Sequence, residues 1–172
     1  VMDNQIYGLT KGQTSPRSAA GFVTKSTPGG AIEPSLKPLE VALTAGATFV
    51  AQGFSTDIKE LTALIEAGLN HKGFSFINVF SPCVTYNKVN TYDWFKENLT
   101  KLSDIEGYDS SNRQLAMQTV MQREGLVTGI VYHDKETKSY QEKVVGYSEI
   151  PLTDIDISLS EDQFDQLVKE FM

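Results

Sequence analysis

Two short runs constrain the fold of this chain more than any other feature: ATFVAQG at 47–53 and FSFINVF at 74–80. Each is close to continuously apolar and rich in aromatic and β-branched residues, without the alternation of a half-exposed strand. Between them, Ser55, Thr56 and Asp57 offer N-caps, and Ile58, Leu61, Leu64 and Ile65 recur at helical spacing as far as Gly68. Strands that are apolar on both sides and joined by a helix need cover on both faces. That predicts a mostly parallel α/β sheet with helices on each side. Ligands bind such sheets beyond the carboxyl ends of the strands. Two polar, turn-rich segments leave strand ends here, DNQIYGLTKGQ from position 3 and SPCVTYN from position 81.

The remaining elements follow from pattern. A helix is expected over 36–45, with Pro38 in its first turn and Gly46 as its stop. Between the first segment and this helix, residues 13–34 are dense in Pro, Gly, Ser and Thr and read as a long loop, functional or mobile. Further helices are expected over 91–102 and 113–123, and strands over 127–132 and 140–147 joined by HDKETKS. A last helix in SLSEDQFDQLVKEFM is announced by Ser160 and Gln163 in capping-box spacing, its face of Phe164, Leu167, Val168 and Phe171 needing a surface to dock on. The length of 172 residues allows one domain with a small C-terminal α+β extension, divided here as 1–103 and 104–172. Val1 and Met2 running straight into Asp3-Asn4 read as the tail of a strand that starts upstream, so the chain is expected to be a fragment.

Composition excludes several function classes. Hydrophobic residues make up 40% and charged residues 22%, which is ordinary for a globular protein. The net charge of -7 would repel a phosphate backbone or an anionic membrane, so neither nucleic acid nor a membrane is an expected partner. Cys83 is the single cysteine; no intrachain disulfide can form, and a reducing, cytoplasmic setting is expected.

The individual residues leave alternatives open. Asn4, at a strand end, can offer a hard cation a neutral oxygen, with a backbone carbonyl one turn later as a second; equally, it can form an Asx-turn. Lys11 can hold an anion or be a solvated loop lysine. The glycines at 8 and 12 permit close backbone approach to a ligand but are no phosphate-loop signature. A lone cysteine is usually a small inert hydrophobe; in its Ser-Pro-Cys-Val-Thr-Tyr-Asn turn, Cys83 can instead be one thiolate of an iron–sulfur cluster. His71 and His133 have no partner at metal or triad spacing and read as structural.

MDNQIYGLTKGQTSP, LKPLEVALTAGATFVAQGF and HKGFSFINVFSPCVTYN, in that order, resemble the β subunit of 2-oxoacid:ferredoxin oxidoreductases, in particular the 2-oxoglutarate branch. The resemblance runs over the whole chain, strongest through Asn90. It implies a thiamine diphosphate-binding fold truncated at its N-terminus, Mg²⁺, a 4Fe–4S cluster, and oxidative decarboxylation of a 2-oxoacid with coenzyme A and ferredoxin as co-substrates. By position, it implies Asn4 as a side-chain Mg²⁺ ligand and Ile6 as a backbone-carbonyl ligand. Gly8, Leu9 and Thr10 fall on the cofactor wall, Leu9 and Lys11 toward the substrate, and Cys83 on the cluster. The family's Gly-Asp-Gly segment, the three other cluster cysteines and the activating glutamate of the partner α subunit have no match here. The fragment is therefore expected to be inactive alone and prone to self-association. Two readings compete: another thiamine diphosphate-dependent decarboxylase or synthase without iron, and a non-catalytic interaction module that keeps the fold.

Overall fold

A computed structural model describes residues 1–144 and 146–171. The two apolar runs form β2 (Phe49–Phe54) and β3 (Ser75–Phe80), parallel neighbours in register from Phe49 opposite Ser75 to Phe54 opposite Phe80. β1 (Met2–Asp3) lies on the far side of β3, also parallel, with Met2 opposite Val79 and Asp3 opposite Phe80. On the other side of β2 lies β5 (Val127–His133), antiparallel, and β5 pairs in parallel with β4 (Thr100–Lys101). The order β1-β3-β2-β5-β4 makes a mixed, mostly parallel sheet, as expected. Every residue of β2 is buried, the consequence of cover on both faces.

One face is covered by α2 (Ile58–Asn70). The Asp57 carboxylate caps it by accepting from the Glu60 N–H, and Gly68 lets the helix sit against Ile77, whose Cδ1 lies 2.8 Å from where a Cβ would be. The other face carries α1 (Pro38–Thr44) and α4 (Arg113–Gln122), which enclose Leu39, Leu43, Val50, Val120 and Val131. Arg113 joins them: its guanidinium donates to the carbonyls of Leu43 and Ala47, at and just past the end of α1, and stacks 4.2 Å from the centre of the Tyr132 ring. Those contacts tie the C-terminal end of α1 to α4.

Two expectations are corrected. The helix after Thr91 is α3 (Tyr92–Asn98), shorter than expected, because Leu99 turns extended and Thr100 donates to the Leu126 carbonyl to found β4. The segment expected as a strand over 140–147 holds α5 (Tyr140–Lys143) instead, with Val145 outside the described residues; β5 has β2 and β4 as partners and no hairpin mate among the described residues. The first compact unit runs from Val1 to Ser139, with β5 inserted beside β2. From Tyr140 onward a second unit contains α5 and α6 (Glu161–Glu170), with the Ser160–Gln163 capping box formed and Phe164 and Phe171 exposed. Met172, the end of the expected last helix, lies outside the described residues.

A polar file crosses the apolar sheet. Gln52 of β2 donates to the carbonyls of Gly125 and Val127, and Asn78 of β3 donates to Gln52 Oε1 at 2.8 Å and to Asp3 Oδ2 at 3.3 Å. Gln52 and Asn78 are fully buried, so a missing member leaves its partners unsatisfied in a medium without water. Gln52→Leu is expected to lower stability by about 2–4 kcal/mol despite its greater hydrophobicity, read from urea unfolding. An unchanged midpoint would show that the file is structurally neutral.

At the other end of β2, His71 and His133 meet edge to face, 5.2 Å between ring centres, with Phe49 against both and Thr48 Oγ1 2.8 Å from His71 Nε2. Desolvation lowers both imidazole pKa values below 6.5; the rings' mutual proximity adds to this at His71 and Lys135 at His133, while Asp134 opposes it at both. Their contribution is complete above pH 6.5 and is lost as pH falls through the lower values they hold in the fold. Stability is expected to fall as pH drops below 6.5, and His71→Gln/His133→Gln to flatten that dependence in urea titrations at each pH.

Candidate functional site

Parallel pairing with register Asp3 to Phe80 means that β1 and β3 end side by side, with Ser81 N–H donating to the Asp3 carbonyl at 2.9 Å. The two polar segments singled out in the sequence therefore leave the sheet at one place. In the first, the backbone turns sharply: Gln5 has φ 58°, Lys11 φ 75° and Gly12 φ 96°. The Asn4 side-chain oxygen accepts from the Ile6 N–H at 3.2 Å, so the Asx-turn considered for Asn4 is formed. A carboxamide oxygen has a second lone pair and remains able to face a cation. Tyr7 donates to the Gln13 carbonyl and Gly12 to the Tyr7 carbonyl, closing residues 7–13 into a tight loop with Leu9 fully exposed at its tip and Lys11 exposed beside it.

This loop lies on the turn that carries Cys83. A Cβ at Gly8 would stand 3.1 Å from Cys83 Sγ and 3.7 Å from Asn4 Nδ2, and a Cβ at Gly12 would stand 2.9 Å from the Tyr86 ring. Glycine at 8 thus brings the carboxamide of Asn4 and the sulfur of Cys83 to one point. Asn87, buried in the same turn, donates to the Asn4 carbonyl at 3.4 Å and accepts from the N–H groups of Val89 and Asn90. Burial pushes the Cys83 thiol up, but hydrogen bonds from the backbone N–H groups of Tyr86, Thr85 and Asn87, with the charge of Lys88, outweigh it and hold the thiol below its ordinary range.

A cavity of about 1030 Å³ opens beside the edge strand. Residues 4–10 line it on one side and α1 on the other, with Phe76 and Asn78 of β3 also on its wall. The Asn78 amide oxygen is buried there without a hydrogen-bond partner. The Cys83 sulfur packs against Gly8, which lines the cavity, without lining it itself.

The structure thus brings Asn4, Ile6, Gly8, Leu9 and Thr10 to one cavity wall and Cys83 directly against that wall; Lys11 is beside them, outside the lining. Three contributors, Asp3, Arg17 and Asn87, are not among the residues that the sequence singles out. Arg17 Nε donates to Asp3 Oδ2 at 2.8 Å, an ion pair whose carboxylate is almost wholly buried. The only sequence signal for it is an arginine inside a loop otherwise poor in charge. Among the described residues no three His, Cys, Asp or Glu side chains gather as a metal site. The donors present fit part of two others: neutral oxygens from Asn4 and Ile6 suit a hard cation, and one thiolate suits an iron–sulfur cluster.

Sequence comparison agrees with this geometry. Residues 1–79 match the family described as thiamine pyrophosphate enzyme, C-terminal TPP binding domain. Residues 83–149 match the family that describes the C terminal of the pyruvate ferredoxin oxidoreductase beta subunit. The chain is 34% identical over 152 residues to a 2-oxoacid:ferredoxin oxidoreductase subunit beta from Sulfolobus sp, covering 83% of this chain and 50% of that one. It is 41% identical over 87 residues to the 2-oxoglutarate oxidoreductase subunit KorB of Mycobacterium tuberculosis, covering 51% and 23% respectively. Among solved structures, a 2-oxoglutarate:ferredoxin oxidoreductase from Magnetococcus marinus, with 2-oxoglutarate, coenzyme A and succinyl-CoA bound, superposes with a TM-score of 0.74 at 38% identity. That superposition covers 80% of this chain and 47% of the other. The chain spans about half the length of the Sulfolobus relative. With both family segments present in order and the fold shared, the chain belongs to the β-subunit family of the 2-oxoacid:ferredoxin oxidoreductases.

Proposed function

We propose that this chain forms one wall of the thiamine diphosphate site of a 2-oxoacid:ferredoxin oxidoreductase and supplies one thiolate to its 4Fe–4S cluster. The observation that carries the reading is the meeting of Asn4, Gly8 and Cys83 at the shared end of β1 and β3. When bound, thiamine diphosphate supplies a carbanion and an electron sink for decarboxylation, and an iron–sulfur cluster supplies one-electron carriage. The chain's own residues hold and orient. Asn4 Oδ1 and the Ile6 carbonyl provide two oxygens to Mg²⁺, and the Gly8–Thr10 backbone walls the cofactor. Lys11 offers a cation to a substrate carboxylate, while Leu9 selects among 2-oxoacids by contact. The Thr85–Asn87 N–H groups lower the Cys83 thiol and so ease its loss of a proton to iron.

The substrate is 2-oxoglutarate, with coenzyme A as acyl acceptor and ferredoxin as electron acceptor, in a cytoplasmic complex with an α subunit. The support is the company the chain keeps: relatives named for 2-oxoglutarate, and a structural neighbour that holds 2-oxoglutarate and coenzyme A. The functional division places the cofactor wall before residue 103 and the β-subunit extension after it. A 4Fe–4S cluster takes four cysteine thiolates and this chain has one cysteine, so it does not build the cluster by itself and is inactive alone. The apolar cavity beside the edge strand also favours self-association of the isolated chain. No helix among the described residues is long and apolar enough to cross a membrane.

In the assembled oxidoreductase, Cys83→Ser is expected to lower the iron content of the β subunit and abolish ferredoxin reduction while thiamine diphosphate binding stays within about twofold, because the serine hydroxyl is a poor iron ligand. Iron content equal to wild type would remove Cys83 from the cluster. Asn4→Ala is expected to weaken Mg²⁺ binding in the presence of thiamine diphosphate by about tenfold or more, on the order of the loss of one metal ligand. Calorimetric titration with Mg²⁺ checks this, and an unaltered affinity would remove Asn4 from the site.

A further inference from the structure

The last residue of the edge strand is a buried carboxylate, which is costly where an aliphatic side chain would fold as well. Asp3 has a side chain only 1% exposed. Both oxygens have partners: Oδ2 accepts from Arg17 Nε at 2.8 Å and from Asn78 Nδ2 at 3.3 Å, and Oδ1 accepts from the Gln5 N–H at 3.2 Å. Gln5 is the residue between Asn4 and Ile6, and its φ of 58° is left-handed, a region that a residue with a side chain enters at a cost. Its carbonyl is gripped from the other side by Ser18 Oγ at 2.7 Å. Ser18 follows Arg17 in the loop, and Arg17 is itself anchored: Nη1 donates to Ser35 Oγ at 2.9 Å and to the Leu36 carbonyl, while Ser35 Oγ donates to the Arg17 carbonyl at 2.9 Å.

We propose that Asp3 and Arg17 are a positioning pair for the Asn4–Ile6 turn, clamping the Gln5 peptide so that the Asn4 carboxamide and the Ile6 carbonyl stand at fixed separation before a divalent cation, while neither Asp3 nor Arg17 touches the cation. The inference rests on the metal-binding reading of Asn4 and Ile6 given above. It also assigns Asp3 a role opposite to the usual one for a carboxylate near such a site. With its side chain buried and Oδ2 held by a guanidinium and an amide, its charge is neutralised inside the protein instead of being offered to the metal. The carboxylate ligand that Mg²⁺ commonly takes is then supplied by other residues of the complex.

The test uses the assembled oxidoreductase. Mg²⁺ affinity in the presence of thiamine diphosphate is measured by calorimetry, the coordination of Mn²⁺ in its place by electron paramagnetic resonance, and the thermal midpoint alongside. Arg17→Met, which keeps most of the apolar stem, is expected to weaken Mg²⁺ about tenfold and to change the Mn²⁺ spectrum, the scale of losing a partner that orients a ligand. In an Asn4→Ala background the same substitution is expected to weaken Mg²⁺ by clearly less than it does in wild type, the remainder acting through Ile6, while lowering the thermal midpoint by the same amount, which a purely structural role would not produce. If Arg17→Met fails to assemble, Asp3→Asn/Arg17→Met removes both charges, leaves no buried ion unpaired, and is expected to show the same loss. Wild-type Mg²⁺ affinity and Mn²⁺ spectrum in the Arg17 variant, with Asn4→Ala still weakened, would overturn the positioning role and leave the ligand reading standing. Unaltered affinity in Asn4→Ala itself would overturn both.

Discussion

A carboxylate buried at the end of the edge strand is the constraint around which the first compact unit is arranged. The Asp3 charge tolerates burial because Arg17 neutralises it and because a chain of amides reaches it across the sheet, from the carbonyls of Gly125 and Val127 through Gln52 and Asn78. Four adjacent strands are thereby pinned at one level: a slip of β1 against β3 by one residue would turn Asp3 to the opposite face and leave Arg17 and Asn78 without it. The apolar contacts of the sheet stabilise many registers about equally well. The polar file selects one, at the cost of burying groups that hydrophobic residues would replace without loss of core volume.

From that register the neighbourhood of Asn4 and Cys83 follows. Asp3 and Phe80 are opposite each other, so the segments that come next emerge together and must pack on one another. Packing them requires the absence of two side chains, at Gly8 against the Cys83 sulfur and at Gly12 against the Tyr86 ring. Gly12 also needs its positive φ; for Gly8 the requirement is space alone. These two glycines have different physical reasons although they sit in one short motif.

The strands of the sheet's centre and their connecting helix are legible in the sequence because period and continuity of apolar residues survive in any context; the Asp57 and Ser160 caps are legible because capping chemistry is local. β4 is not, since two residues become a strand only through the partner that β5 happens to offer. The segment from Tyr140 to Lys143 reads as a strand because Val144 and Val145 lend it β character, while the residues that form the helical turn, Tyr-Gln-Glu-Lys, are indifferent on their own. In the site, the residues at positions 4 and 83 are carried by likeness to a family, with chemistry alone leaving bland alternatives open. Asp3, Arg17 and Asn78 cannot be read at all, because their contacts span sequence separations that only the register of β1 against β3 decides.

Asn87 shows why the two halves of the candidate site behave as one body. Its amide nitrogen reaches the Asn4 carbonyl, its amide oxygen holds the N–H groups of Val89 and Asn90, and its own backbone N–H both accompanies the Cys83 carbonyl and faces the sulfur. A shift of the sulfur-bearing turn is therefore transmitted to the Asn4 backbone through a single side chain, and Gly8 lies between as a spacer without compressible atoms. Peptide N–H groups and the charge of Lys88 lower the Cys83 thiol against its burial, in a protein whose overall balance is acidic. The Asn4 carboxamide and the Cys83 sulfur are thus brought together at Gly8 by the course of the backbone.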